Sequence, residues 1–547
     1  MASNNSQHDH SDVSGAPTIF VVFCQLFLVF VVQRYLRKRW RKALPPGPSG
    51  LPLLGNVYDI PQNEPWVTYR DWTAKHGDVI CVRLLGHPVI VLNSVTSVTD
   101  LLEKRSSIYS DRPTPIVSIS RMLNWIWSLG FKPYDDDWRR TRRELRQYLQ
   151  PSTVMQWHPV QARESRRFLQ GLLHDQRDLH KTIQLSLCRT LLGVAYGLPA
   201  DDVTTRYVDL LGEIDSGVSE AYDPTVLFIP WLRYLPSWFP GGSWKNGIEK
   251  WRLQATSALE TPFKAALSAV TRGTATSSIM SELFEKMQSA NKSGVDEELV
   301  KAVLGVVFVA GADTTAGLFF AFFCAMIIHP EVQKRAQETL DAVVGPDRLP
   351  EHADRSSLPY INAIVKEVLR WHSIAPFGLA HRCMEDNLNV CRGWVIPKDA
   401  TVMANIWWVS SQGGDYMQSV PVRQLFASAI LYRGILHDPE RFPEPDAFRP
   451  ERFLKDGKLD PDAFDPATIG FGFGRRICPG RDFAEDTLFI NIASVLHAFD
   501  ILPAVDEQGK PVPVEFGVTS GLVSTVKPFK YTIRPRSSVA EALVRDV

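Results

Sequence analysis

One cysteine in a glycine-rich stretch has the surroundings of a metal-binding thiol. Cys478 lies in the stretch FGFGRRICPG at 471–480, and residues 481–499 follow with the pattern of an amphipathic helix. Backbone N–H groups and the positive end of that helix would favour a thiolate, which is a metal ligand. The three glycines allow close approach to a flat group, and Arg476 would be a counter-charge. For a lone cysteine, the alternative is an ordinary buried thiol.

The spacing of five residue types around this cysteine resembles one protein family. Phe471, Gly474, Arg476, Cys478 and Gly480 follow the pattern Phe-x-x-Gly-x-Arg-x-Cys-x-Gly, which resembles the haem-binding loop of the cytochrome P450 superfamily of haem-thiolate monooxygenases. The resemblance implies haem b as the cofactor, with the Cys478 thiolate as the axial ligand of its iron. It also implies that Phe471 and Arg476 bind the cofactor. In that family the thiolate pushes electron density onto the iron and favours O–O cleavage.

A long apolar stretch in the middle of the chain carries the second group of candidates. Residues 299–328 are nearly uncharged, which predicts a central buried helix that is too polar at its middle to cross a membrane. Asp313, Thr314 and Thr315 are polar residues inside this apolar stretch. Burial of an unpaired acid such as Asp313 would be costly, so a functional reason for it is expected. The segment resembles the oxygen-binding part of the family's central helix, which implies that Thr314 contacts the oxygen and Asp313 supplies protons. For the threonines alone, back-bonding to a helix carbonyl is the alternative.

Two further segments carry residues that the resemblance places at the edge of the cofactor. Trp138 and Arg142 are four residues apart and therefore share one helix face. A solvated basic helix is the alternative, but beside the haem loop the pair resembles the family's Trp-x-x-x-Arg contact to a haem propionate, where a guanidinium can bind a carboxylate with two hydrogen bonds. His381 and Arg382 lie where the family places another propionate ligand. The sequence leaves open which of these two residues makes that contact.

A structural network is also expected. Glu367 and Arg370 are i,i+3 neighbours, and such a pair alone is usually a surface salt bridge of small worth. Together with Arg452 in the later Pro-Glu-Arg-Phe segment, the pair resembles the family's Glu-x-x-Arg network, which implies a buried, structural role.

Length and composition indicate the class of protein. No linker divides the 547 residues into halves, so we expect one large domain. Lys+Arg 60 balances Asp+Glu 60, which argues against a nucleic-acid partner. Seven scattered cysteines without C-x-x-C spacing argue against a disulfide framework or a zinc site. Two β-rich runs at 77–84 and 88–92 predict a hairpin. The resemblance implies a mainly α fold with a smaller β part, the cytochrome P450 fold.

The N-terminal region predicts a membrane anchor. We interpret 1–15 as a lumenal tail, 16–33 as a transmembrane signal anchor, 34–50 as a basic cluster with a proline-rich hinge, and 51–547 as the monooxygenase domain. The first segment contains no Lys or Arg, whereas six basic residues follow the anchor, which predicts a cytosolic domain on the endoplasmic reticulum membrane. A cleaved signal peptide is the alternative, but no small-residue cleavage site follows.

The resemblance implies insertion of one oxygen atom from O2 into a small hydrophobic substrate. Because no nucleotide-binding motif is present, electrons would come from NADPH through NADPH-cytochrome P450 reductase. The run at 102–113 resembles fungal secondary-metabolism members, such as O-methylsterigmatocystin oxidoreductases and tryptamine hydroxylases. This suggests bulky aromatic or polycyclic substrates, in secondary metabolism or xenobiotic oxidation. The rival functions are a haem isomerase or dehydratase and a haem-binding protein without turnover. The candidate pocket residues are Trp125, Phe131, Phe308, Ala312, Phe377 and Leu522.

One segment departs from the family's pattern. Members typically run from an Asn-x-Trp segment directly into a His-Asp-Pro segment, whereas here Trp407 and His437 are separated by an insertion at 408–433. A retained intron or a misplaced splice boundary is one interpretation. The other is a genuine surface loop, which costs little closure entropy at this length.

We predict that a chain lacking residues 408–433 binds haem at least as well as the full chain, because no core pattern is visible in the insertion. Most transcripts should also lack it. Haem content per folded protein and sequencing of the message are the measurements. Dominant full-length transcripts together with haem loss on deletion would show that the loop is a required part of the protein.

Overall fold

The computed structural model is mostly helical with a smaller β part, as expected. It describes residues 25, 27, 28 and 44–546, except 53, 62–63, 199–202, 222–237, 239–244, 290–293, 392, 407–434 and 438–440. The predicted anchor at 16–33 lies almost wholly outside the described residues, and the insertion at 408–433 lies wholly outside them.

The regular elements are numbered in chain order. The helices are α1 (Pro65–His76), α2 (Val95–Val98), α3 (Ser106–Tyr109), α4 (Thr114–Met122), α5 (Asp136–Leu149), α6 (His158–His174), α7 (Leu179–Tyr196), α8 (Val203–Ala221), α9 (Lys245–Thr271), α10 (Ile279–Gln288), α11 (Glu297–Ile328), α12 (Pro330–Val343), α13 (Pro359–Trp371), α14 (Ala467–Gly470), α15 (Arg481–Ala498) and α16 (Ser538–Arg545). The strands are β1 (Val79–Leu84), β2 (His87–Leu92), β3 (His381–Arg382), β4 (Asn387–Cys391), β5 (Trp394–Ile396), β6 (Thr401–Ala404), β7 (Leu454–Lys455), β8 (Lys458–Leu459), β9 (Phe499–Pro503) and β10 (Tyr531–Pro535).

The main sheet positions one side of the site. Its strand order is β1-β2-β6-β3, and β1 and β2 form the predicted antiparallel hairpin. Strand β2 pairs in parallel with β6, and β6 pairs antiparallel with β3, where His381 lies opposite Val402. The sheet therefore fixes the backbone of His381.

Helix α11 is the central helix that the apolar stretch predicts. Asp296 caps it by accepting a hydrogen bond of 2.9 Å from the N–H of Leu299. Every residue from 315 to 327 is buried, and α7 packs along the helix. Within the described part of the chain it is the one helix long and apolar enough to cross a membrane, but 72% of its most apolar window is buried inside the protein. It is therefore a core helix.

Helix α15, which follows the Cys478 loop, begins at Arg481 as predicted, but its predicted amphipathic character is wrong. From 486 to 498 every residue is buried. The reason is that α6, α11, α12 and α13 all pack against it, so no broad face remains for solvent.

Glu367, Arg370 and Arg452 form the expected buried network. Arg370 donates to both carboxylate oxygens of Glu367, at 2.7 and 2.8 Å, and neither side chain has exposed surface. Arg452 Nε and the backbone N–H of Arg449 donate to the same carboxylate, at 3.2 and 2.7 Å. The network fastens the turn at 450–453 to α13, and loss of one partner would leave a buried charge unpaired.

The proline-rich segment packs on the domain. The backbone N–H of Cys81 in β1 donates to the carbonyl of Pro46 at 2.9 Å. A Cβ at Gly47 would lie 1.9 Å from the Cys81 carbonyl oxygen, so only glycine fits this close approach. The segment therefore covers the outer edge of β1.

We predict that removal of residues 1–40 releases most of the protein from membranes and leaves haem binding intact, because every described contact of the proline segment is retained. Removal of residues 1–50 should lower the free energy of unfolding by about 1–3 kcal/mol, because the Cys81 N–H loses its partner. Membrane fractionation, haem content and thermal unfolding test both forms. Failure of the shorter deletion to bind haem would contradict this boundary.

Candidate active site

A cavity of about 410 Å³ is bordered by both the 471–480 loop and helix α11. Cys478 and Phe471 line it from the loop, and Ala310, Asp313 and Thr314 line it from the helix. The two groups of candidate residues, more than 150 positions apart in the sequence, thus face one cavity.

Cys478 is exposed to this cavity although it lies deep within the protein. Its backbone N–H donates to the carbonyl of Phe471 at 2.7 Å. Burial raises the pKa of its thiol, opposed by the N–H of Gly480 and by the positive charges of Arg142 and Arg481. The Gly480 N–H thus favours the thiolate, as expected of the loop, while burial of the thiol opposes it. A bound metal cation would supply the missing stabilisation.

The loop is held against the turn at 99–103, which lies beside it. The N–H of Gly474 donates to Glu103 Oε1 at 2.7 Å. Gly474 has a φ of 54°, and a Cβ there would lie 2.3 Å from the Leu102 carbonyl oxygen. Glycine is therefore required at this position of the motif.

Arg476 lines the cavity but is not the counter-charge that the sequence suggested for Cys478. Its guanidinium donates to the carbonyls of Ser110, Leu129 and Lys132 at 2.6, 3.0 and 2.8 Å. It also lies over the ring of Trp138, 4.6 Å from the centroid. Burial lowers the pKa of Arg476 to about 10. Arg476 thus joins the loops at 110 and 129–132 to the thiol loop at one wall of the cavity.

Trp138 and Arg142 lie on α5 and both line the cavity, as their spacing predicts. The Nε1–H of Trp138 is buried without a hydrogen-bond partner among the described residues. The Arg142 side chain likewise makes no hydrogen bond to any residue that the structure describes. Burial lowers the pKa of Arg142, and its proximity to Cys478 raises it. The Arg142 guanidinium is therefore available to a bound anion at this wall of the cavity.

The structure distinguishes the two neighbouring candidates on β3. His381 lines the cavity, and its Nδ1 lies 2.7 Å from the Tyr109 carbonyl oxygen, which fixes the ring. Burial, with Arg112 nearby, lowers the pKa of His381 to about 3. Arg382 instead forms ion pairs with Asp111 and Asp399.

Thr314 and Asp313 face the cavity from α11. The Thr314 hydroxyl donates to the Ala310 carbonyl at 2.7 Å, which is the back-bonding alternative, yet the side chain also lines the cavity. Asp313 is half-buried, and Gln184 Nε2 on α7 donates to its Oδ1 at 3.2 Å. Asp313 is therefore a partnered acid beside the cavity.

Of the predicted pocket residues, Trp125, Phe131, Phe377 and Leu522 line the cavity. Phe308 and Ala312 do not, and that prediction is wrong. They are i,i+4 neighbours on another face of α11, where Phe308 packs against Tyr196 and Tyr207 with ring centroids 6.2 and 5.9 Å apart.

Sequence reasoning missed Arg112. It is buried, lines the cavity, and donates through Nε and Nη1 to the carbonyls of Gly130, Leu379 and Ala380 at 2.7–2.8 Å. In the sequence Arg112 stands between an acid and a proline. Many surface loops have this pattern, so it does not indicate a buried residue.

The residues around the cavity fit a haem. Cys478 offers a thiol to the metal, Trp138 and Arg142 offer hydrogen bonds to carboxylates, and the remaining lining is largely apolar. Among known proteins, the cytochrome P450 monooxygenase COX2 of Coprinopsis cinerea is 36% identical over 92% of this chain and 91% of its own length.

A second relative, the cytochrome P450 monooxygenase ple1 of Rhodocybe pseudopiperita, is 35% identical over 98% of this chain and 97% of its own length. The cytochrome P450 monooxygenase eriA of Hericium erinaceus is 36% identical over 92% of this chain and 90% of its own length. A sequence model described as cytochrome P450 matches residues 45–412 and 429–533. The matches extend over nearly the whole chain, and the protein belongs to the cytochrome P450 family of fungal haem-thiolate monooxygenases.

Proposed function

We propose that this enzyme inserts one oxygen atom of O2 into a C–H bond or aromatic ring of a hydrophobic, aromatic or polycyclic substrate of fungal secondary metabolism. The second oxygen atom leaves as water, with two electrons from NADPH delivered by NADPH-cytochrome P450 reductase and two protons from solvent. One observation carries the proposal: Cys478, the Trp138–Arg142 pair and Thr314 all line the same largely apolar cavity.

Haem, when bound with Cys478 as ligand, supplies the activation of O2. Arg142 and Trp138 would hold its carboxylates, since both line the cavity and the Trp138 Nε1–H has no partner among the described residues. His381 also lines the cavity, and because its Nδ1–H is given to Tyr109, it would donate to a carboxylate through Nε2 only as the imidazolium, which an adjacent carboxylate favours. Phe471 and Arg476 would border the ring from the loop side. The chain thus contributes ligation, orientation and exclusion of water.

Protons would reach the cavity through α11. The Thr314 hydroxyl can accept a hydrogen bond while it donates to Ala310. Asp313 lies next to it and is linked to Gln184. Gln184 also lines a second, more polar pocket with Asp178, His180 and Glu213. This arrangement supports a path for protons from that pocket to Thr314, with Asp313 as the exchanging acid.

The reductase and the membrane are the proposed partners. Exposed arginines at 139, 143, 146 and 475 surround the face of the molecule that carries α5 and the thiol loop. Such a basic patch suits an acidic redox partner. The anchor proposed at 16–33 would tether the domain to the endoplasmic reticulum.

A haem-binding protein without turnover is the second candidate. It is favoured by the insertion proposed at 408–433, and the cytochrome P450 match is interrupted there, between 412 and 429. Against it, Cys478, Asp313 and Thr314 all line the cavity. An NADPH- and O2-dependent product assay separates the two candidates.

We predict that the reduced carbon monoxide complex shows the red-shifted Soret band of thiolate ligation, because Cys478 is the only cysteine on the cavity wall among the described residues. Cys478→Ser should lose that band. Cys188→Ser is the matched control, since Cys188 is buried and does not line the cavity. A histidine-type spectrum from the folded wild type would refute the ligand assignment.

We predict that Thr314→Ala keeps haem and electron uptake but lowers product formed per NADPH by about tenfold, because a positioned proton donor is worth about 10²-fold or more and water replaces it only in part. Hydrogen peroxide should rise in compensation. Thr314→Ser retains a hydroxyl and should restore most of the coupling. An unchanged product ratio in Thr314→Ala would leave Thr314 with only its helix-carbonyl bond.

A further inference from the structure

We propose that Gly317 of α11 determines which substrates this enzyme accepts, although it does not itself line the cavity. Its missing side chain leaves room for the tip of Ile374, and this room keeps the cavity wide beside Thr314. The inference rests on the proposed function and names a residue that sets its substrate range. Gly317 is a positioning residue, because it acts on the substrate only through Ile374.

Gly317 is buried inside a long helix, where glycine is less favourable than alanine. The neighbouring side chain shows why a glycine fits there. A Cβ at Gly317 would overlap Cδ1 of Ile374 and lie 3.6 Å from its Cγ1. Cγ2 of Thr525 would lie 3.5 Å from the same Cβ and closes the other side. This space, the Gly317 notch, therefore holds one terminal methyl group.

Ile374 connects the Gly317 notch to the cavity. It is half-buried and lines the cavity, whereas Gly317 beneath it does not. Gly317 follows Thr314 by three residues, so the two are neighbours on one side of α11 and lie about 4.5 Å apart along its axis. Thr314 lines the same cavity as Ile374. The position of the Ile374 tip therefore decides how much space a substrate finds next to Thr314.

The backbone on both sides of Ile374 is held by hydrogen bonds. Its carbonyl accepts from the N–H of Ser524 at 2.8 Å, and the N–H of His372 donates to the carbonyl of Val368 at 3.0 Å. The branched Cβ of isoleucine also restricts χ1. A side chain at position 317 would therefore turn the Ile374 tip about χ2. The open space that borders Ile374 is the cavity, so the tip would enter it.

The added width suits the aromatic and polycyclic substrates proposed above. A methyl group that projects from the cavity wall excludes the edge of a rigid ring, whereas a flexible chain can bend around it. The Gly317 notch thus selects for rigid, planar ligands. Its effect should appear in the affinity for a ring that approaches Thr314.

The test uses two probes, imidazole, whose nitrogen can bind haem iron, and 1-phenylimidazole, which adds one rigid ring. Full-length, haem-loaded protein with the thiolate carbonyl spectrum is titrated with each probe, and the shift of the Soret band gives Kd. Gly317→Ala should lower the preference for 1-phenylimidazole over imidazole by about tenfold, as expected when one methyl group overpacks a rigid site. A change in iron affinity cancels in this ratio, because both probes bind through the same kind of nitrogen.

Ile374→Val removes only Cδ1, so the double variant Gly317→Ala with Ile374→Val should restore the wild-type ratio. Gly171→Ala is the matched control and should leave the ratio unchanged. Gly171 is a helical glycine on α6 that does not line the cavity, and a Cβ there would make an ordinary contact of 3.5 Å with Cγ2 of Thr182.

If Gly317→Ala loses haem, Ile374→Leu tests the same point without a change in α11. Leucine ends in two methyl groups, of which the Gly317 notch holds one, so the ratio should again fall. A wild-type ratio in haem-loaded Gly317→Ala, or in Ile374→Leu where Gly317→Ala loses haem, would overturn this inference alone. A fall that persists in the double variant would overturn it as well. Absence of the thiolate spectrum in wild type would instead refute the proposed function.

Discussion

The interaction on which this structure depends is the burial of positive charge along one edge of its central cavity. Arg112, Arg142 and Arg476 all line that cavity, and burial lowers the pKa of each guanidinium. The like charge of Arg476 lowers the pKa of Arg112 further. Asp111, an acid beside this edge, is paired with Arg382. The carboxylates of a bound haem would relieve this repulsion, so we expect cofactor binding and stability to be strongly coupled.

The same charges connect elements that are distant in sequence. Arg476 of the thiol loop and Arg112 reach carbonyls in the segment at 129–132, and Arg112 also reaches those at 379–380. The segment at 129–132, whose residues 129–131 line the cavity, is therefore positioned by both arginines. A substitution of either arginine should change the shape of the cavity and haem retention together.

Helix α11 and the Glu367 network are the rigid parts of the site. One face of α11 lines the cavity at 306, 310 and 314, while Phe308 on another face packs into the core. The network joins α13 to the turn at 450–453, which precedes the thiol loop. Because the network and the 315–327 part of α11 are buried, they restrict movement of the turn before the thiol loop and of the helix that carries Thr314.

The sequence by itself determined the family, the thiol loop, the central helix, the hairpin and the Glu367 network, because each depends on residue types at short, fixed spacings. Only the tertiary structure decided that Arg112 lines the cavity, that Phe308 does not, and that His381 rather than Arg382 faces it. Those properties depend on which face of an element meets which neighbour. Burial also opposes the thiolate form of Cys478, since desolvation depends on every element packed around the loop and no local pattern encodes it.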